Sequence, residues 1–202
     1  MANNFSSLSK DKLKSISKEM NLGAKNLYSL LKNLLEWSRL KRGNYEIDLW
    51  NLSLSEIVKT AIESIENIAS LKQIRITNNI TSEYHVFADD TMLNSILVNL
   101  LSNAIKFTNR GGQIIVNAKE TEKSEIEISI ADNGIGMSSE LISKLFKIDE
   151  KVGRIGTEGE PSAGLGLLLC KEFIEEQNGR VWVESKEGHG TAFYFTLPLQ
   201  KE

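Results

Sequence analysis

At 202 residues, 41% hydrophobic and 25% charged, the chain is long enough for one full core and too apolar for long disorder. Its net charge of −3 excludes a general nucleic-acid binder, because no basic excess exists to neutralise a phosphate backbone, so any anion site must be local. A single cysteine, Cys170, excludes a disulfide framework and a cysteine-rich metal cluster, and fits a reducing compartment.

No apolar run reaches the roughly 18 residues of a membrane span. Met1-Ala2-Asn3-Asn4 has neither the basic start nor the apolar core of a signal peptide. From about Ser9 to Leu40 the pattern is helical, with Leu13, Met20, Leu27 and Leu34 on one seam and Ile16, Gly23, Leu30 and Trp37 on the next. Leu31 and Leu35 widen that stripe, so the helix must pack on something. An oligomeric helical bundle is the economical partner, and its own domain the alternative. Gly23 costs about 1 kcal/mol relative to alanine and marks a candidate helix crossing. Lys41-Arg42-Gly43-Asn44 carries the expected stop signal, which puts a domain boundary after residue 44.

Beyond it, Tyr45 to Leu52 is expected as a short strand. Ser53-Leu54-Ser55-Glu56 reads as a capping box, launching a helix with Ile57, Ala61, Ile65, Ile68 and Ala69 on its inner face. Strands follow at Ile74 to Ile80 and Tyr84 to Ala88, then a second helix capped by Asp89 or Asp90 and running to about Phe107. The turn Asn109-Arg110-Gly111-Gly112 precedes two strands, Gln113 to Lys119 and Glu125 to Ala131, that pair as a hairpin. A helical run from Ser138 to Phe146, a loop from Asp149 to Ala163, a helix from about Gly166 to Gln177, and strands at Arg180 to Lys186 and Thr191 to Leu197 complete the chain. The predicted class is α+β, a two-layer α/β sandwich whose mixed sheet is covered on one face by helices and preceded by one long bundle-forming helix.

Three stretches carry chemistry. Asp132-Asn133-Gly134-Ile135-Gly136 places a carboxylate at a strand end, followed by glycines where backbone must pass close to something flat or anionic. Asn99, Asn103 and Lys106 are spaced by four and three, so two amides and an ammonium share one helical stripe, able to hold hydrated magnesium and the phosphates it bridges, or simply to face solvent. Gly164-Leu165-Gly166-Leu167 opens a helix whose free amides and dipole favour an anion.

Taken in order, these stretches resemble bacterial sensor histidine kinases of the GHKL superfamily. Asn99 to Phe107 is similar to the N box, Asp132 to Gly136 to the G1 box, Gly164 to Leu167 to the G2 box, and Gly188-His189-Gly190-Thr191 to the third glycine element; Leu145-Phe146 stands at the F-box position. The resemblance covers roughly residues 45 to 198 and implies a Bergerat-type ATP-binding fold. Asn33 to Arg39 is similar to the second helix of the dimerisation domain, so residues 1–44 are expected to be a truncated phosphoacceptor domain and 45–202 the catalytic one.

The resemblance implies ATP and Mg2+ as cofactors, with Asn103 the principal metal ligand and Asn99 and Lys106 near the phosphates. It makes Asp132 the adenine-recognising group: an ionised carboxylate accepts from the exocyclic amino group and rejects the carbonyl of guanine. Gly134 and Gly136 would let backbone approach base and ribose, Thr191 would support Asp132, and Gly164 and Gly166 would form the phosphate-facing turn. Lys147 stands where many relatives carry a phosphate-binding arginine; Arg154, Lys151 and Lys144 are its possible substitutes. Neither His85 nor His189 has a carboxylate at acceptor spacing.

No His-Glu or His-Asp acceptor pair occurs, and Met1 to Leu8 looks like a cut just after the acceptor helix, so this chain is expected to bind ATP without phosphorylating itself on histidine. Chaperone and topoisomerase relatives place a water-activating Glu four residues before the magnesium Asn; Asn99 occupies that position here, which predicts slow hydrolysis. The implied partners are a response regulator receiver domain, the missing acceptor helix and, in the full-length protein, a second copy. The implied location is the bacterial cytoplasm, with a parent that can be a membrane sensor. An ATPase conformational switch and a nucleotide-sensing interaction module are the alternatives.

Overall fold

The computed structural model describes residues 46–147, 153–160 and 165–199, together with scattered positions from 12 to 42. Element order is β1 (Trp50–Ser53), α1 (Leu54–Leu71), β2 (Arg75–Asn78), β3 (His85–Ala88), α2 (Asp90–Phe107), β4 (Gln113–Glu120), β5 (Glu125–Asp132), α3 (Ser139–Ile142), α4 (Leu165–Glu176), β6 (Val181–Lys186) and β7 (Gly190–Pro198). Five strands form a sheet in the order β2-β4-β5-β7-β6, with β2 parallel to β4 and every other neighbour antiparallel; β1 and β3 form a separate antiparallel pair. The sheet is mixed, as the sequence predicts.

The period of two along each strand sorts side chains to opposite faces. Ile126, Ile128 and Ile130 of β5 point inward, flanked in register by Leu197, Phe195 and Phe193 of β7, and Val116 of β4 pairs with Ile130. On the opposite face Trp182 stacks on Tyr194 at 5.3 Å, and Lys119 pairs with Glu127 at 3.0 Å. Helices α1, α2 and α4 cover the inward face, with α2 packed between the other two. Helix α2 therefore carries a broad apolar face, with Met92, Leu93, Ile96, Leu97, Leu100, Leu101, Ala104 and Ile105 buried. Each such leucine or isoleucine contributes about 2 kcal/mol through burial.

Asp89 caps α2 as expected. Its Oδ1 accepts from the Met92 N–H at 2.9 Å and its Oδ2 from the Asp48 N–H at 3.1 Å, while its own N–H donates to Gln177 Oε1 at 2.8 Å. One residue, through its carboxylate and its own N–H, thereby ties the entering chain, α2 and the end of α4 together. Cys170 is a buried core residue whose thiol burial pushes up to about 12.

Three local expectations fail. The capping box does not form: Ser53 precedes α1 without a side-chain cap bond, its hydroxyl lying instead 3.0 Å from that of Ser55, and the Leu54 N–H donates to Tyr84 O at 3.0 Å. The Ser55 hydroxyl takes the Ser53 oxygen that would otherwise cap the second or third helical amide. Ile68 is 55% exposed while Val58 is fully buried, because the helix rotates to seat Leu54, Val58, Ala61, Ile65 and Ala69. The helical run from Ser138 condenses to the single turn α3, after which Lys144 and Leu145 donate three residues back, tightening the chain so that Leu145 enters the core.

Every described position from 12 to 39 is helical. Leu13, Ile16, Met20, Leu27, Leu31, Leu34 and Leu35 are exposed, and a Cβ on Gly23 would meet nothing within 4 Å. Among the described residues, this face does not lie on the chain's own domain. Trp37, Gly43 and Asn44 lie outside the described residues. No helix among the described residues is long and apolar enough to cross a membrane.

Candidate functional site

The inward face of the sheet ends in a polar rung. Counting by twos from Ile126 places Asp132 on the same face as the core isoleucines, in register with Ile114 on one side and Thr191 on the other, and Thr191 in turn pairs with Ser185. Apolar neighbours explain the titration of Asp132. Burial pushes its carboxyl up from 3.8 to about 6, although the backbone N–H groups of Gly134 and Thr191 favour the charged form. Asp132 Oδ1 accepts from the Gly134 N–H at 2.8 Å.

Thr191 supports Asp132 through its backbone, while its hydroxyl lies 2.9 Å from Ser185 Oγ. Proton counting orients that contact. Ser185 gives its single hydroxyl proton to Gly190 O at 2.8 Å and accepts from the Met137 N–H at 2.8 Å, so Thr191 is the donor to Ser185. Ser185, which has no signal in the sequence, thus ties the loop after Asp132 to the β6–β7 hairpin. Ser185→Ala leaves the Met137 N–H and Thr191 hydroxyl without that acceptor and is expected to cost about 1–3 kcal/mol of unfolding free energy. Urea denaturation at unchanged slope checks this.

The glycines after Asp132 answer first to protein backbone. A Cβ on Gly134 would lie 2.2 Å from Phe107 O, and one on Gly136, whose φ is +60°, 1.9 Å from Lys186 O. The loop lies against the end of α2 on one side and the β6–β7 turn on the other.

The end of α2 is where the pieces meet. An α-helix leaves its last four carbonyls without intrahelical partners. Here Thr108 N–H takes Ala104 O, the Lys72 ammonium takes Ile105 O and Lys106 O, Thr157 N–H also takes Lys106 O, and Ile135 N–H takes Phe107 O. Three separate stretches of chain, beside the helix's own continuation at Thr108, are therefore fixed to one helical turn.

Asn99, Asn103 and Lys106 are half-buried along one stripe of this helix. The Asn99 amide nitrogen donates to Ser95 O at 2.9 Å, and the Asn103 side chain has no hydrogen-bond partner among the described residues. Lys106 sits with its ammonium 5.4 Å from the Phe107 ring centroid, and burial lowers its pKa, with Glu160 acting in the opposite sense and Lys72 in the same one. Arg154, from the loop before α4, brings its guanidinium to 5.9 Å from the same ring and donates to Gly136 O. Lys106 and Arg154 thus flank Phe107 beside the Asp132 loop.

Lys147 is exposed at the end of the turn after α3, and Lys144 pairs with Glu140 at 2.8 Å. Gly166 lies in the first turn of α4; Gly164 and Lys151 lie outside the described residues. A cleft of about 420 Å³, lined by Ser138, Glu140, Lys144, Arg154 and Glu187 among others, opens beyond Gly136. It borders this arrangement through Arg154 and is not lined by Asp132 or Asn103.

A profile of the histidine kinase-, DNA gyrase B-, and HSP90-like ATPase family matches residues 88–201. The chain belongs to this ATPase family. Its relatives place it on the sensor histidine kinase side. The adaptive-response sensory kinase SasA of Synechocystis sp. is 30% identical over 173 residues, which are 85% of this chain and 45% of that protein. Sensor protein GacS of Pseudomonas syringae pv. syringae is 32% identical over 184 residues, 88% of this chain and 20% of that protein. The catalytic domain of histidine kinase ThkA superposes with a TM-score of 0.64 at 27% identity, covering 77% of this chain and 97% of that one. Full-length ShkA in complex with AMPPNP gives 0.76 at 25% identity, covering 96% and 40%. The chain spans less than half the length of the curated relatives it matches. Within the family, the α+β fold is that of a histidine kinase ATP-binding domain.

Proposed function

We propose that residues 45–202 are the kinase module of a sensor histidine kinase, which moves the γ-phosphoryl group of ATP to a histidine on a dimerisation helix outside this sequence, for relay to a response regulator receiver domain. Residues 1–44 then belong to the second helix of the dimerisation domain, in keeping with the exposed apolar residues of its described positions. A second copy would cover that face in the full-length protein. The module works in the cytoplasm, whatever anchors its parent.

The observation that carries this reading is the convergence at the end of α2, where the Phe107 carbonyl holds the Asp132 loop and the Lys106 carbonyl holds the loop bearing Arg154. A base-recognising carboxylate and two cations for phosphate are thereby fixed to the helix that carries Asn99 and Asn103. The Gly134 and Thr191 N–H groups hold the Asp132 carboxylate, and its remaining lone pairs accept from the amino group of adenine. Lys106, Arg154 and Lys147 supply positive charge for phosphate, Arg154 being the one held against the Asp132 loop.

Mg2+ suits the donor set. The Asn103 amide oxygen, without a partner among the described residues, is a hard ligand, Asn99 keeps its own oxygen for other contacts when its nitrogen binds Ser95, and one or two protein oxygens suffice where phosphates and water complete the shell. When bound, such an ion neutralises charge on the phosphates. Asn103 would hold it, and Asn99 would orient a water of its shell.

Asn99 also favours transfer over hydrolysis, because an amide donating to Ser95 O cannot serve as the base that deprotonates water. The decisive experiment mixes this chain with a separate protein carrying an acceptor helix, adds magnesium ATP and assays acid-labile phosphate. Phosphohistidine is expected on the added protein and none on this chain. Multiple-turnover phosphate release without any acceptor would overturn the kinase reading in favour of an ATPase switch. Retained partner binding by Asp132→Ala, with no transfer by the unmodified chain, would favour an interaction module.

A further inference from the structure

Lys72 is the residue that follows α1. Its side chain is only 4% exposed and its ammonium makes three contacts, with Ile105 O at 2.9 Å, Lys106 O at 3.0 Å and Glu160 Oε1 at 2.9 Å. An ammonium has three protons, and all three are spent. Two hold the last turn of α2, and the third reaches 88 residues along the chain to the loop that carries Arg154.

That loop lies closely on α2. Gly156 N–H donates to Glu160 O at 2.8 Å, Glu158 N–H to Glu160 Oε2 at 2.8 Å, Thr157 N–H to Lys106 O at 3.0 Å, and Thr157 Oγ1 to Thr108 O at 2.9 Å. A Cβ on Gly156 would lie 2.4 Å from Glu160 Oε2 and 2.7 Å from Lys106 Cγ, so glycine is what permits this approach. An Arg110–Glu158 pair at 3.1 Å closes the exposed side.

The geometry points to Lys72 as a positioning residue for the nucleotide site: through Glu160 it latches segment 153–160 onto the end of α2, setting Arg154 and Lys106 together on the Phe107 ring. The inference rests on the nucleotide reading above. The latch is an ion pair with one partner buried, so removing either charge leaves the other without its match in a poorly solvated place. The charges are coupled. Burial pushes the Glu160 carboxyl up, and the Lys72 hydrogen bond with backbone N–H donors overrides this to hold it below the usual range. Glu160 also favours the charged form of Lys106. With the latch open, the segment samples other positions, and ATP must select the docked one at a cost in affinity.

Glu160→Gln tests this with least risk to the fold, because Glu160 is partly exposed and glutamine keeps its length. The full chain is assayed for hydrogen exchange at the Gly156 and Thr157 amides without nucleotide, and for affinity toward magnesium ATP and adenosine. If the docked arrangement falls to about a tenth of the population, ATP affinity drops about tenfold. Exchange at both amides accelerates in parallel, and adenosine affinity, which depends on the Asp132 end, changes by less than about twofold. Lys72→Met is expected to move the ATP-to-adenosine ratio the same way. Unchanged exchange with an unchanged ratio would overturn the latch, as would equal loss of both ligands. An unmodified chain that binds neither ligand would sink the nucleotide reading instead, and exchange at Gly156 and Thr157 would alone decide whether the latch exists.

Discussion

Replacing Asp132 with alanine is expected to lower adenosine and ATP affinity by about 100-fold or more, since a charged hydrogen bond to the base is lost where water cannot readily replace it. Isothermal titration measures it. Asp132→Asn is the sharper variant: a side-chain amide offers a donor as well as an acceptor, so discrimination between adenine and guanine nucleotides should narrow.

The same carboxylate predicts a pH dependence. Its pKa is raised in the folded chain, from 3.8 to about 6. The fold therefore binds a proton at Asp132 more readily than the unfolded chain does, and the ionised form is destabilised. That displacement corresponds to about 3 kcal/mol, absent below pH 3.8, growing as pH rises toward 6 and complete above it. An amino group donating to the carboxylate relieves the penalty, so binding selects the ionised form. Adenosine affinity should be level above about pH 7, fall about fivefold from pH 6 to pH 5, and approach its limiting slope of about tenfold per pH unit below that. Using adenosine avoids titrating phosphates, and Asp132→Asn should flatten the profile. A pH-independent affinity in the unmodified chain would remove Asp132 from the base-recognising role.

Asn103→Ala is expected to reduce magnesium-dependent transfer to an added acceptor helix by about 100- to 1000-fold, the effect of losing a charge-stabilising contact at the reacting phosphate. Adenosine binding should stay within about twofold, because the loop after Asp132 is tied through the Ile135 N–H to Phe107 O and not to Asn103. Asn99→Ala should cost less, since the Asn99 nitrogen is already committed to Ser95. Stopped-flow transfer across a magnesium titration separates the two: the Asn103 variant should need more magnesium for half-maximal rate. Equal losses of adenosine binding and transfer would mean that Asn103 supports the fold and not the metal.

Much of this molecule is legible by period alone. Alternation over Glu125 to Ala131 and the helical spacing of Asn99, Asn103 and Lys106 are local properties, fixed by which residues two or three to four apart share a face. They suffice to place Asp132 at a strand end and the amides on one stripe, and the structure has both arrangements. The Asp89 cap is likewise local, its acceptor three residues away. Where local signals fail, contacts outside the expected pattern decide. The Ser53 hydroxyl meets that of Ser55 in place of a helix amide, and the inner face of α1 turns to seat Val58 and expose Ile68.

The glycines show the division most sharply. Their presence after Asp132 is a sequence fact, and a close approach there is a sound expectation. What approaches is decided by tertiary structure: the Phe107 carbonyl at Gly134 and the Lys186 carbonyl at Gly136.

By itself, then, the sequence determined the ATPase family, the strand and helix order, and the placement of Asp132 at a strand end and of Asn99, Asn103 and Lys106 on one helical stripe, because each is written in short-range spacing. Only the tertiary structure decided that Ser185 braces Thr191, that Arg154 joins Lys106 on Phe107, and that Lys72 grips Glu160. The physical reason is the same in all three. A hydrogen bond or ion pair acts over about 3 Å of space whatever the separation along the chain, and no periodicity in Lys72-Gln73 or Gly159-Glu160 records that the other exists.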